Sequence, residues 1–124
     1  MIAGKIVAIS NEKGGTGKTT LAVNLGAALA IRGRKTLLID MDPQGNASYI
    51  LAKITDEDPA MYSVLTEKDI ALDAIIQPTA TEHLDIAPSN LHLAGAEIQL
   101  ATLLGRENAL KRKLMADIVD RYDV

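Results

Sequence analysis

Residues 5–20 read Lys5-Ile-Val-Ala-Ile-Ser-Asn-Glu-Lys-Gly-Gly-Thr-Gly-Lys-Thr-Thr20, and the fold turns on how this stretch is read. Lys5 to Ser10 is a short apolar run of β-forming residues, which predicts a strand. Asn11 to Gly17 is polar and glycine-rich, which predicts a loop. From Thr19 to about Ile31 the chain predicts a helix, with Leu21, Leu25, Ala28 and Leu29 at helical spacing. Gly33 supplies its stop, and Arg32 and Arg34 sit beside the negative end of the helix dipole. Lys35-Thr-Leu-Leu-Ile-Asp40 is then continuously apolar, the pattern of a strand covered on both faces. Strand, loop, helix and strand in this order form a βαβ unit with a right-handed crossover.

Beyond Asp42-Pro43-Gln44-Gly45-Asn46 the local signals weaken. Ala60–Leu65 and Ile70–Ile76 read as short helices, the second stopped by Pro78, and Leu84–Ala87 reads as a third strand ended by Pro88. Leu91–Leu104 and Glu107 to about Arg121 read as helices, with Leu110, Leu114 and Ile118 four residues apart on one face. The expected architecture is α/β, a mostly parallel sheet flanked by helices.

The chain has 124 residues, 48% hydrophobic and 23% charged, with a net charge of −3; this is globular composition and one domain's length. The acidic balance argues against a wholly basic nucleic-acid module. Three Tyr with no Phe or Trp demand an aliphatic core and leave little for base stacking. The absence of cysteine removes disulfides, thiolate zinc sites, iron–sulfur ligation and a thiol nucleophile. No signal peptide or membrane span is legible, because the longest apolar stretch, Leu21–Ile31, is interrupted by Asn24 and Gly26.

Lys13-Gly14-Gly15-Thr16-Gly17-Lys18-Thr19-Thr20, between an expected strand and an expected helix, has the chemistry of a phosphate cradle. Phosphate oxygens need several backbone N–H donors converging on one point, and side chains would block that approach. The helix start behind the loop adds unpaired amides and a favourable dipole. Lys18 brings a positive charge to the outer phosphates, and the Thr19 hydroxyl is suited to Mg²⁺. The spacing departs from the general phosphate-loop pattern: Glu12 stands where the first glycine belongs, and a second lysine, Lys13, opens the loop. Asp40 and Asp42 follow at the carboxyl end of the second expected strand, where α/β sheets bind ligands; as residues i and i+2 they share a face if the extended conformation persists to Asp42.

This block resembles the deviant phosphate loop of ParA/Soj/MinD-type ATPases. The resemblance continues through residues 37–48, 84–90 and 93–98, and Asp42-Pro-Gln-Gly-Asn46 is most similar to the ParA/Soj partition branch. It implies ATP and Mg²⁺ as ligands, with Lys13 to Thr20 around the phosphates, Lys18 on the β- and γ-phosphates and Thr19 on the metal. It further implies that Asp42 orients the attacking water, that Asp40 lies near the metal's water shell, and that Lys13 reaches the partner's nucleotide in an ATP-sandwiched homodimer. A stimulating partner of ParB type, nonspecific DNA bound mainly through a later half, no membrane, and a bacterial-type cytoplasm with nucleoid association in the ATP state are also implied. Residues 1–124 would be the N-terminal part of a single such domain. In that family the Walker B strand begins near Arg121–Val124 and is inserted between strands 5–10 and 35–40, so those two strands are expected to face a gap one strand wide.

Two alternatives from other classes stand beside this reading. One is a binding module that holds nucleotide without turning it over; the other is an amidoligase-like enzyme that uses ATP on carboxylates. A reductase resembling the nitrogenase iron protein would need cluster-ligating cysteines. His83 and His92 lack metal-ligand spacing, Lys111-Arg112-Lys113 reads as a solvated basic face, Glu107 and Lys111 are spaced for an i,i+4 pair, and Asp56-Glu57-Asp58 reads as a loop.

Overall fold

A computed structural model describes residues 4–10, 17–101, 108–115 and 118–124. Helix α1 spans Lys18–Ile31 and β1 spans Thr36–Ile39. Two short helices follow, α2 over Asn46–Leu51 and α3 over Met61–Thr66. A 3₁₀ turn at Leu72–Ile75 leads into β2, Gln77–Pro78, and then β3, Leu84–Ala87. A second 3₁₀ turn at Leu91–Gly95 runs into α4, Ala96–Leu100; α5 covers Ala109–Met115, and a last 3₁₀ turn covers Val119–Arg121.

The sheet has the order β1-β3-β2. β1 and β3 are parallel, with Thr36 opposite Leu84 and Ile39 opposite Ala87, while β2 lies antiparallel on the outer edge of β3. Pro78 fits there because an edge strand can spare one donor. The mostly parallel sheet is thus a small mixed one.

Helix α1 ends as its sequence requires. The Gly33 N–H donates to the Ala30 carbonyl at 2.9 Å and the Arg34 N–H to the Leu29 carbonyl at 3.0 Å, the paired bonds of a Schellman close. Its buried line differs from the expected one. Gly26 and Ala30 are buried, whereas Leu21 is exposed, because small residues let the helix axis approach the sheet closely. The main core lies around α3, where Met61, Val64, Leu72 and Ile75 pack with Leu93, Ile118 and Tyr122. It is aliphatic apart from one tyrosine ring.

Residues 5–10 do not form the expected strand. A strand exists only through its ladder, and among the described residues the backbone of 5–10 makes such a bond only at Lys5. The segment around Asp123 and Val124 lies between the two flanks. The Asp123 carbonyl accepts the Lys5 N–H at 2.9 Å, the Asp123 N–H donates to the Lys35 carbonyl at 2.7 Å, and the Val124 carbonyl accepts the Leu37 N–H at 3.0 Å. Residues 123 and 124 thus bridge the two segments between which the resemblance places an inserted strand, without forming a strand themselves. Gly4 is fixed by the same packing, since a Cβ there would stand 2.3 Å from the Tyr122 carbonyl oxygen. The two segments border an open cavity of about 570 Å³, walled by Ile6, Ile9, Leu37, Ile39, Leu110 and Leu114 among others. Ile6 and Val7, lacking a full ladder, are 68% and 58% exposed.

Candidate functional site

The N-terminus of α1 carries no side-chain cap. Gly17 occupies the capping position in the left-handed region (φ 85°), and its carbonyl accepts the first intrahelical bond, from the Leu21 N–H at 2.8 Å. The amides of Lys18, Thr19 and Thr20 therefore have no intrahelical acceptor, and no acidic residue in the first turn offsets the dipole. Such an end suits an anion. Lys13, Gly14, Gly15 and Thr16, the remainder of the expected cradle, lie outside the described residues.

Lys18 and Thr19 line the same cavity as Asp40 and Asp42. Four residues singled out in the sequence thus converge where α1 begins and β1 ends. Thr20, in contrast, is exposed and is not among the residues lining that cavity.

The two aspartates are not related by strand alternation, because β1 ends at Ile39 and the chain turns immediately afterwards. Asp40 is 5% exposed, and its carboxylate holds the turn. Oδ1 accepts the Asp42 N–H at 3.0 Å, and Oδ2 accepts both the Ser48 N–H at 2.9 Å and the Ser48 hydroxyl at 2.6 Å. Asp42 accepts the Gln44 N–H on its own Oδ1 at 3.0 Å, and its carbonyl accepts the Gly45 N–H at 2.9 Å. Gly45 then starts α2 at φ 63°, with the Ser89 carbonyl oxygen 3.3 Å from where a Cβ would be; both facts favour glycine.

Ser48 and Ser89 fall within the resembling segments 37–48 and 84–90, and the sequence assigns them no role. Both are 1% exposed and both bond into this turn. Their signal in the sequence is faint, a serine after Pro88 at a strand end and another three residues past a glycine. Asn90, beside Ser89, donates to the carbonyls of Thr55 and Asp58, so residues 55–58 form a tethered loop as expected.

The basic cluster on α5 departs from expectation at Lys113. Its ammonium donates to the carbonyls of Glu67, Lys68 and Ile70 at 2.9, 3.1 and 2.6 Å, satisfying acceptors just past the end of α3. Glu107, its neighbour's expected partner, lies outside the described residues. The two histidines behave as ordinary side chains. His92 packs its ring 5.9 Å from Tyr62, and His83 occupies the turn before β3.

Among the described residues no group of three His, Asp or Glu could hold a metal by itself. The donor set therefore suits Mg²⁺ only in company with phosphate oxygens, which is the usual way that ion is held. Among the same residues no helix is long and apolar enough to cross a membrane.

A helix start without a side-chain cap beside the carboxyl end of a parallel strand is where open α/β folds bind their ligands. A family model described as an AAA domain matches residues 4–124. The chain is 48% identical over 121 residues to the sporulation initiation inhibitor protein Soj of Bacillus subtilis, covering 97% of this chain and 47% of Soj. The cobyrinic acid a,c-diamide synthase of Mycobacterium smegmatis, solved with bound ATP analog and magnesium, superposes with a TM-score of 0.80 at 38% identity, over 90% of this chain and 46% of that one. A plasmid partition protein of Borrelia burgdorferi gives a TM-score of 0.80 at 27% identity, over 97% of this chain and 53% of its own. The chain belongs to the ParA/Soj-type P-loop ATPases, and it spans about half the length of the curated relatives it matches.

Proposed function

We propose that this chain binds MgATP and supplies the phosphate-holding part of an ATP-dependent dimerisation switch used in partitioning plasmids, chromosomes or other cargo. The observation that carries this reading is the convergence of Lys18 and Thr19 with Asp42 on one cavity at the carboxyl end of β1. Lys13 to Gly17 and the first amides of α1 take the phosphates, with Thr20 beside them. Lys18 neutralises the outer phosphate oxygens, and the Thr19 hydroxyl is the metal's protein ligand. A metal bound with the nucleotide would supply charge neutralisation at the phosphates. Asp42 orients water in line with the γ-phosphate, and Lys13 reaches the nucleotide of a second copy. Asp40, whose carboxylate already takes three hydrogen bonds, serves the metal's water shell only at a distance. Association with a ParB-type stimulating protein and nonspecific DNA, in a bacterial cytoplasm, completes the reading; the likeness to Soj and to the Borrelia partition protein supports it.

Titration with a non-hydrolysable ATP analogue and Mg²⁺ tests the site. Lys18→Ala is expected to weaken binding on the order of 100-fold, as loss of a charge-assisted contact does. Equal affinity for both proteins would refute the cradle. Binding without turnover would favour the alternative of a hydrolysis-incompetent binding module. The likeness to the diamide synthase favours a second reading, ATP-driven amide formation on a carboxylate; nucleotide turnover that starts only when such an acid and an amide donor are added would select it.

A further inference from the structure

Asp40 and Asp42 in the turn after β1, Ser48 in α2 and Ser89 after β3 close a ring of hydrogen bonds. The Ser48 hydroxyl donates to Asp40 Oδ2 at 2.6 Å and accepts the Ser89 N–H at 2.8 Å. The Ser89 hydroxyl donates to the Asp42 carbonyl at 2.6 Å, and the Asp42 N–H returns to Asp40 Oδ1 at 3.0 Å. The backbone of Asp42 is thereby held at both its N–H and its C=O. Its side chain, fixed at Oδ1 by the Gln44 N–H, keeps Oδ2 without a hydrogen bond among the described residues, and the residue lines the cavity.

The ring ties α2 and the end of β3 to the turn, and the same bonds bracket the Asp42 backbone. Ser48 and Ser89 are nearly fully buried polar residues whose hydroxyls are both spent on the ring, and Ser89 sits 47 positions from the carbonyl it holds. A carboxylate that must orient one water gains from such bracing, because misplacement of about 1 Å can cost on the order of 100-fold in rate. We propose that Ser48 and Ser89 are positioning residues for Asp42, acting through its backbone, with Asp40 as the fixed anchor of the ring. This rests on the reading of the cavity as a site of MgATP hydrolysis.

The experiment measures kcat and KM for ATP, with backbone amide exchange at Asp42 and Gln44, in the chain and in Ser48→Ala and Ser89→Ala. Both replacements shrink a buried side chain, and circular dichroism verifies that each variant is folded; Ser89→Cys, similar in size with a weak donor, guards against a packing artefact. The expected result is kcat lowered about 10- to 100-fold with KM unchanged, faster exchange at Asp42 and Gln44 but not at Leu38, and partial recovery in Ser89→Cys. Unchanged kcat in both serine variants beside an active parent overturns the positioning role alone. A fall in kcat without faster exchange at Asp42 and Gln44 also overturns it. A parent chain that binds MgATP without turning it over removes the hydrolytic reading, and the positioning role falls with it.

Discussion

The two walls of the cavity are built from similar sequence and end in opposite states. Residues 35–40 and residues 5–10 are both short apolar runs that finish at a polar turn. The first pairs along its length with β3, and the turn after it is tied by Asp40 to Ser48 and by Ser89 to Asp42. The second, among the described residues, is bonded to the rest of the backbone only at Lys5, with Gly4 bonded just before it, and Ile6 and Val7 are exposed. Apolar composition alone does not make a strand; a neighbour on the hydrogen-bonding edge does.

The largest break in this contrast should come from Asp40→Ala. It strands the Ser48 hydroxyl and two backbone amides in a buried site, and urea unfolding should lose about 3 kcal/mol. Tyr122→Phe should act next, at the chain segment that joins the walls. It deletes the bond from the phenol to Asp85 Oδ2 at 2.7 Å, and a loss of about 1 kcal/mol is expected. The same phenol gives a pH signature. Burial, then the bond to Asp85, pushes its pKa well above the ordinary value, so the folded state favours the protonated form. Its stabilisation is present in full below the unfolded value of about 10 and drains away as pH rises past it. Unfolding free energy measured from pH 8 to 11 should fall at the alkaline end in the parent chain and fall less in Tyr122→Phe. The smallest effect belongs to Ile6→Ser on the loose wall, where exposure predicts a change under about 0.5 kcal/mol. A loss as large as that of Asp40→Ala would erase the distinction between the walls.

What the sequence revealed follows from the range of the forces involved. Helix α1, β1 and β3 were legible because periodicity, apolar runs, Gly33 and Pro88 are local signals. Helix α2 was not, since Asp42-Pro-Gln-Gly reads as a turn and the helix after it is secured by Asp40. The two-residue strand at Gln77–Pro78 is set by its partner, and its own composition argues against it. Lys113 read as solvated because its three acceptors lie more than forty residues away. At the site, Lys18, Thr19, Asp40 and Asp42 were legible as chemistry-bearing residues. Ser48 and Ser89 were invisible because their partners come together only when β1 and β3 align.

Asp123 behaves as a rivet through both walls. Its carbonyl engages Lys5, its N–H engages the Lys35 carbonyl, and its carboxylate accepts the Lys35 N–H at 2.8 Å. Among the described residues, the backbone bonds that fasten residues 4–10 run only to Val119 and Asp123. Releasing Asp123 would leave residues 4–10 fastened to the described backbone by the Gly4–Val119 bond alone, so the segment around Lys5 and the one around Lys35 loosen together rather than independently.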